Sequence, residues 1–151
     1  MVEIRKLRDI DALIAWRREV ILNVFGAHPD DKSLTANRQY YARHIADDSH
    51  TAFVALADGT ECGCGAACFT DELPSPDNPS GRCAYLMNIY VRGPFRRQGV
   101  AHAIMRSLID EARERGCGKI YLETTAEGKA VYSSVGFRDM PDMMKYHSAE
   151  D

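Results

Sequence analysis

The sequence has no apolar run near the roughly 18 residues needed to cross a bilayer, and Met1-Val2-Glu3-Ile4-Arg5 lacks a secretory pattern. The expectation is a cytoplasmic protein with no membrane association. There is no basic excess: 19 Lys and Arg stand against 22 Asp and Glu, a net charge of -3. That balance opposes wholesale binding to nucleic acid and leaves room only for a local basic patch. The five cysteines are odd in number and show no paired C-x-x-C spacing, so neither a disulfide framework nor a zinc site is supported. Cys62, Cys64 and Cys68 read as small core residues on a strand, and no metal is expected. The phosphate-binding string G-x-x-x-x-G-K-[ST] does not occur. Gly63-Cys64-Gly65 begins like a dinucleotide fingerprint, but Cys68 stands at the third glycine position and a proline-rich loop follows where a helix is required. Internal repeats and low-complexity tracts are also missing.

What is present fits one ordinary domain spanning residues 1–151. The hydrophobic fraction is 45% and the charged fraction 27%, close to globular averages. Residues 2–7 alternate apolar and charged side chains, as a strand does. Asp9 or Asp11 then offers an N-cap for a helix bearing Leu13, Ile14, Ile21 and Leu22. After Gly26-Ala27-His28-Pro29 a second helix, capped near Ser33 or Thr35, carries Tyr40, Tyr41 and Ile45. Residues 51–57 and 61–70 read as a hairpin closed by Asp58-Gly59. Three prolines make residues 73–81 a surface loop, with Met87 and Asn88 on the strand that follows at 83–91, expected to be buried on both faces. From Gly99, the spacing Val100, Ile104, Leu108, Ala112 makes one helical face, and Gly116 sits where a C-cap glycine belongs. A strand at 119–125, a short helix at 129–135 ending at Gly136, and a last extended segment at 137–146 complete the order β, α, α, β, β, β, α, β, α, β. An antiparallel meander followed by a strand, helix, strand crossover implies a mixed α/β (α+β) sheet with helices on its faces.

The string Arg96-Arg97-Gln98-Gly99-Val100-Ala101 lies between a strand and the start of the most regular helix. First-turn N–H groups have no partner inside a helix, and the helix dipole adds partial positive charge, so a phosphate or pyrophosphate is well accommodated there. Gly99 permits close backbone approach, and the arginines add charge. His102 reads either as an exposed first-turn residue or as one whose backbone amide lies near the phosphates.

This segment resembles the acetyl-CoA loop of the GCN5-related N-acetyltransferase superfamily: Gln or Arg, two residues, Gly, one residue, then Gly or Ala. Arg96, Gly99 and Ala101 satisfy it. The resemblance extends upstream through Asn88-Ile89-Tyr90-Val91, where that family has the strand pairing with the pantetheine arm. Downstream, in Val131-Tyr132-Ser133-Ser134-Val135-Gly136-Phe137, it has a tyrosine followed four residues later by Gly-Phe. The resemblance implies a mostly antiparallel sheet of about six to seven strands flanked by about four helices. It implies acetyl-CoA bound by Ile89, Tyr90, Val91, Arg96, Arg97, Gln98, Gly99, Val100, Ala101 and His102, with Tyr132 as general acid. It also implies direct attack of an amine on the thioester.

Two departures concern the acceptor. Thr125 stands where many relatives have asparagine, and Asn88 or Met87 where many have a carboxylate on the central strand. Glu123, Asp71 and Glu72 are carboxylates that spacing does not select and that read as solvated charges. Met140, Met143 and Met144 read as fillers of core gaps or a subunit contact, or else as the lining of a flexible acceptor pocket. The acceptor is accordingly a small-molecule or peptide amine, a homodimer is a family-level expectation, and a catalytically silent acyl-CoA-binding regulatory module is the rival reading.

Overall fold

A computed structural model describes residues 1–149. The elements are β1 (Val2–Lys6), α1 (Ile10–Val24), α2 (Asp31–Ala46), β2 (His50–Ala57), β3 (Thr60–Asp71), β4 (Arg82–Val91), a 3-10 turn at Gly93–Phe95, α3 (Val100–Glu114), β5 (Lys119–Leu122) and α4 (Lys129–Ser134). The strands form one sheet in the order β1-β2-β3-β4-β5. The first three junctions are antiparallel and β4–β5 is parallel. The β2–β3 hairpin closes at Asp58 and Gly59, both with positive φ (48° and 85°), the backbone that a two-residue turn between twisted strands requires.

Both faces of the sheet are covered, which explains why β2 is apolar along nearly its whole length. Phe53 and Ala55 point to one side, where Val100, Ile104, Leu108 and Ala112 of α3 meet Ala67, Ala84 and Leu86. Ala52, Val54 and Leu56 point to the other side, against Leu13, Ile14, Trp16 and Val20 of α1 and Leu34, Tyr41 and Ile45 of α2. The helix α3 lies close to β3 because two glycines leave it room. A Cβ on Gly63 would stand 2.7 Å from the Tyr90 carbonyl oxygen and 3.3 Å from the Ile104 side chain, and one on Gly65 would run into Ile104. The Gly63-Cys64-Gly65 string is therefore a packing feature. Cys62, Cys64 and Cys68 all lie on β3, the first two buried, and every cysteine is free.

Several expectations are corrected. No strand forms over residues 137–146 among the described residues, so the sheet has five strands and not six to seven. Pro141 withholds an amide there, and although Phe137 packs on the core, the later apolar side chains do not: Met143 is 53% exposed and Met144 99%. The methionines thus do not fill core gaps. The helix α2 starts earlier than expected, capped by Asp30, whose carboxylate accepts from the Ser33 amide at 2.7 Å, while α1 is capped by Asp9. β5 ends at Leu122, short of residue 125, and β4 is buried on both faces only in its first half. The loop at 73–81 is anchored by a buried Asn78, whose amide donates to the Glu72 carboxylate (3.1 Å) and the Arg82 carbonyl (3.2 Å).

Candidate active site

The site begins with two irregularities of β4. Register pairs Cys64 with Tyr90 but Ala66 with Met87, so Asn88 and Ile89 together oppose Gly65. This is a β-bulge, and Asn88 takes the left-handed conformation (φ 57°) to make it. The parallel pairing with β5 stops at Leu86 and Leu122, whereas β4 continues to Val91. The strands part there, and the ladder groups of residues 89–91 are left facing a cleft.

That cleft is a cavity of about 610 Å³. Ile89, Tyr90 and Val91 form one wall, Arg96, Arg97, Gly99, Val100, Ala101 and His102 the second, and Val131, Tyr132 and Ser134 of α4 the third. Of the cofactor residues read from the sequence, Gln98 alone is off the wall, its side-chain amide donating to the Pro94 carbonyl at 3.2 Å. Arg96 lines the cleft but directs Nε at the Val91 carbonyl, 3.0 Å away, stitching the loop to the strand. Gly99 is the N-cap of α3 at φ 80°, with no side chain capping the helix. Arg97 is also left-handed at φ 62°, a conformation costing a non-glycine residue about 1–2 kcal/mol. Left-handed residues within a turn aim successive amides into one concavity, and the free first-turn amides of α3 follow directly. A Cβ on Gly99 would meet nothing within 4 Å, so the space before it is open.

Tyr132 projects from α4 and packs edge-on against Phe137, ring centroids 6.2 Å apart at 76°. Gly128 admits the ring: a Cβ there would stand 3.0 Å from a Tyr132 ring carbon and 2.6 Å from Thr124 Oγ1. Burial pushes the Tyr132 phenol above its usual pKa, so it is a protonated donor at neutral pH.

Tyr132, Gly128 and Ile89 are shared with a second cavity of about 410 Å³ on the α1 side of the sheet. Its other walls are Arg17, Val20, Val24 and Phe25 of α1, residues 85–88 of β4, and Glu123, Thr124 and Thr125 beyond β5. Arg17 Nη1 donates to Asn88 Oδ1 at 2.7 Å. Burial, followed by the negative charge of the nearby Glu123, pushes the Tyr85 phenol up to about 12. Thr125 accepts the Gly128 amide through Oγ1 (3.3 Å). The roof helix is tied down by Arg92, which grips both oxygens of Glu19 at 2.9 Å while its guanidinium lies 4.4 Å over the Trp16 ring.

Sequence reasoning missed Arg17, Val24 and Phe25, which carry no local motif, and treated Glu123 as a solvated charge. Glu123 is exposed, yet it stands on the cavity wall beside Tyr85. Glu72 is engaged by Asn78 and Lys119, away from both cavities. Among the described residues no group of three or more His, Cys, Asp or Glu is placed to hold a metal ion, and no helix is long and apolar enough to cross a membrane.

A mixed sheet parted beside a bulged strand, with an uncapped helix start on the cleft, is the architecture of acyl-CoA-dependent acyltransferases. The family model described as Acetyltransferase (GNAT) family matches residues 11–137, and the chain belongs to that family. It is similar to the [ribosomal protein bS18]-alanine N-acetyltransferase of Escherichia coli K12, at 35% identity over 71 residues covering 45% of this chain and 48% of that protein. It is also similar to the aminoglycoside N(6')-acetyltransferase type 1 of Salmonella typhimurium LT2, at 26% identity covering 79% and 81%. The match thus spans about half the length of the first relative. Among solved structures, that of a predicted acetyltransferase from Clostridium acetobutylicum with acetyl-CoA superposes with a TM-score of 0.87 at 27% identity, covering 100% of this chain and 99% of the other.

Proposed function

We propose that the protein is an N-acetyltransferase moving the acetyl group of acetyl-CoA to an amine by direct attack. The observation that carries this reading is the meeting of two cavities at Tyr132, one bordered by an anion-binding helix start and the other by a carboxylate. The pyrophosphate lies against the amides of residues 99–102 and the Arg97 charge, and the pantetheine arm along residues 89–91. The amine nitrogen enters from the second cavity and attacks the thioester carbonyl carbon. A backbone amide of residues 89–91 donates to the developing oxyanion. When the C–S bond breaks, Tyr132 gives its proton to the departing thiolate. The proton lost by the nitrogen passes to Glu123, the one carboxylate on that wall among the described residues. Most of the rate enhancement comes from holding the two reactants in one geometry.

The two relatives act on a protein alanine and on an aminoglycoside, both amines, which supports the nucleophile but leaves its body to be read from the cavity. Five free thiols suit a reducing cytosol. The test joins binding to turnover. Acetyl-CoA at one hundred times its dissociation constant stabilises the fold by about 2.7 kcal/mol, read as a rise in Tm. Amine-dependent thiol release then separates an enzyme from the silent binding module. A Tm shift with no release from any amine leaves only the module.

A further inference from the structure

The second cavity carries one charge of each sign. Arg17 is half-buried and makes no ion pair among the described residues; its side chain donates a hydrogen bond to the neutral Asn88, and its guanidinium lies 5.8 Å from the centre of the Phe25 ring. The nearest candidate on its own helix, Glu19, is held at both oxygens by Arg92. A guanidinium has five donors in a planar fork matched to a carboxylate. Here most of that fork remains free, on the wall of a cavity. Leaving such a group partly desolvated and unpaired is costly, and a bound anion removes that cost. Glu123 supplies the opposite charge on the same cavity. The wall between is largely apolar, and the last turn of α1 presents Val24 and Phe25 to it, 53% and 65% exposed. Apolar side chains left uncovered on a cavity wall mark where a ligand body is received.

We infer that the acceptor is an amino-acid-like zwitterion, an amine joined to a carboxylate and an apolar side chain, with Arg17 as the carboxylate anchor. This rests on the acetyltransferase reading above and narrows it to a substrate class. Glu123 attracts the ammonium form, while Arg17 repels a second cation, so polycationic amines are disfavoured in the same cavity.

The experiment measures kcat/KM by thiol release for apolar amino acids, for the carboxamide of each, for dipeptides beginning with the same residues, and for spermidine. It uses the wild-type chain, Arg17→Gln and Arg17→Lys. One charge-assisted bidentate contact is worth about 10- to 100-fold, so the free carboxylates are expected to exceed their carboxamides by that factor. The ratio collapses to within about threefold in Arg17→Gln and is partly restored in Arg17→Lys, which keeps the charge without the fork. Dipeptides equal to free amino acids would shift the source of the carboxylate to a peptide and overturn the assignment to free amino acids. Carboxamides or spermidine as good as the carboxylates, or an Arg17→Gln loss equal for every acceptor, overturn the anchor while acetyl transfer stands. Failure to turn over any carboxylate-bearing amine also overturns it. The acetyltransferase reading itself falls only if no amine of any class, carboxamides and spermidine included, releases thiol; a retained acetyl-CoA Tm shift then leaves the binding module. The wild-type ratio needs no variant, so a misfolded Arg17 substitution does not shield the inference.

Discussion

His50 opens β2 and is only 4% exposed. Its Nδ1 lies 2.9 Å from the Tyr40 hydroxyl, which also reaches Cys68 Sγ at 3.1 Å, and the rings of Tyr40 and Tyr41 stand edge-on at 5.2 and 5.5 Å. Nε2 has no partner among the described residues. Burial, followed by the nearby His44 and Arg17, holds the imidazole from 6.5 down to about 4. The unfolded chain takes up a proton near pH 6.5 that the folded chain refuses until about pH 4. The stabilising contribution is therefore complete above 6.5 and is lost as pH falls through that window. A difference of one in pKa between the folded and unfolded chain is worth about 1.4 kcal/mol, so lowering the pH from 7 to 5 costs about 2 kcal/mol through this one residue. Replacing it by a ring that cannot titrate, His50→Phe, removes the effect whatever it does to absolute stability. Urea unfolding of both proteins at pH 7, 6 and 5 gives the difference directly. Wild type is expected to lose about 2 kcal/mol more than the variant over that range. A gap that stays constant within about 0.5 kcal/mol would show that His50 is protonated in the folded state or exposed to water, and the burial argument would fail.

Two substitutions test the cofactor cleft. Gly99→Glu sets a bulky anion in the open space before the helix start and is strained at φ 80°, so calorimetry should show coenzyme A binding abolished while the fold survives; near-normal affinity would move the phosphates elsewhere. Tyr132→Phe keeps the ring packed on Phe137 and removes only the donor, so kcat should fall roughly 10- to 1000-fold with acetyl-CoA affinity little changed. A kcat within about twofold of wild type, where chemistry limits the rate, would reduce Tyr132 to packing.

The parts legible in the sequence were those whose signals are local. The face Val100, Ile104, Leu108, Ala112 and the flanking Gly99 and Gly116, both at positive φ, define α3 without reference to the rest of the chain. Asp58-Gly59 does the same for its hairpin. That residues 89–91 and 96–102 would line one cavity followed because strand, loop and helix start are contiguous, with α4 and its Tyr132 brought from a distance. Illegible features depended on what a residue meets in space. The cap Asp30 competed with Ser33 and Thr35 within two turns, and residues 137–146 have apolar content but do not join the sheet, although β5 is an edge strand. The second cavity was the least accessible, since Arg17, Tyr85 and Glu123 are brought together by α1, β4 and the segment after β5, and nothing in their spacing announces it.

The order of the strands in the sheet repeats their order along the chain, and β1 to β4 are joined antiparallel. The β4–β5 pair alone needs a helical crossover, and it is bonded over Lys119–Leu122 only. Both cavities straddle that seam. Amides in β5 are held by the shortest ladder in the molecule, and α4 beyond it is a helix of six residues, so both are expected to open to solvent exchange by local excursions that leave the β1–β4 meander closed. On the proposed function, a coenzyme clasped between residues 89–91 on one side and α4 on the other would supply the fastening the parted strands lack. Ligand binding at that place is then expected to lengthen exchange lifetimes in β5 and α4 far more than in the meander.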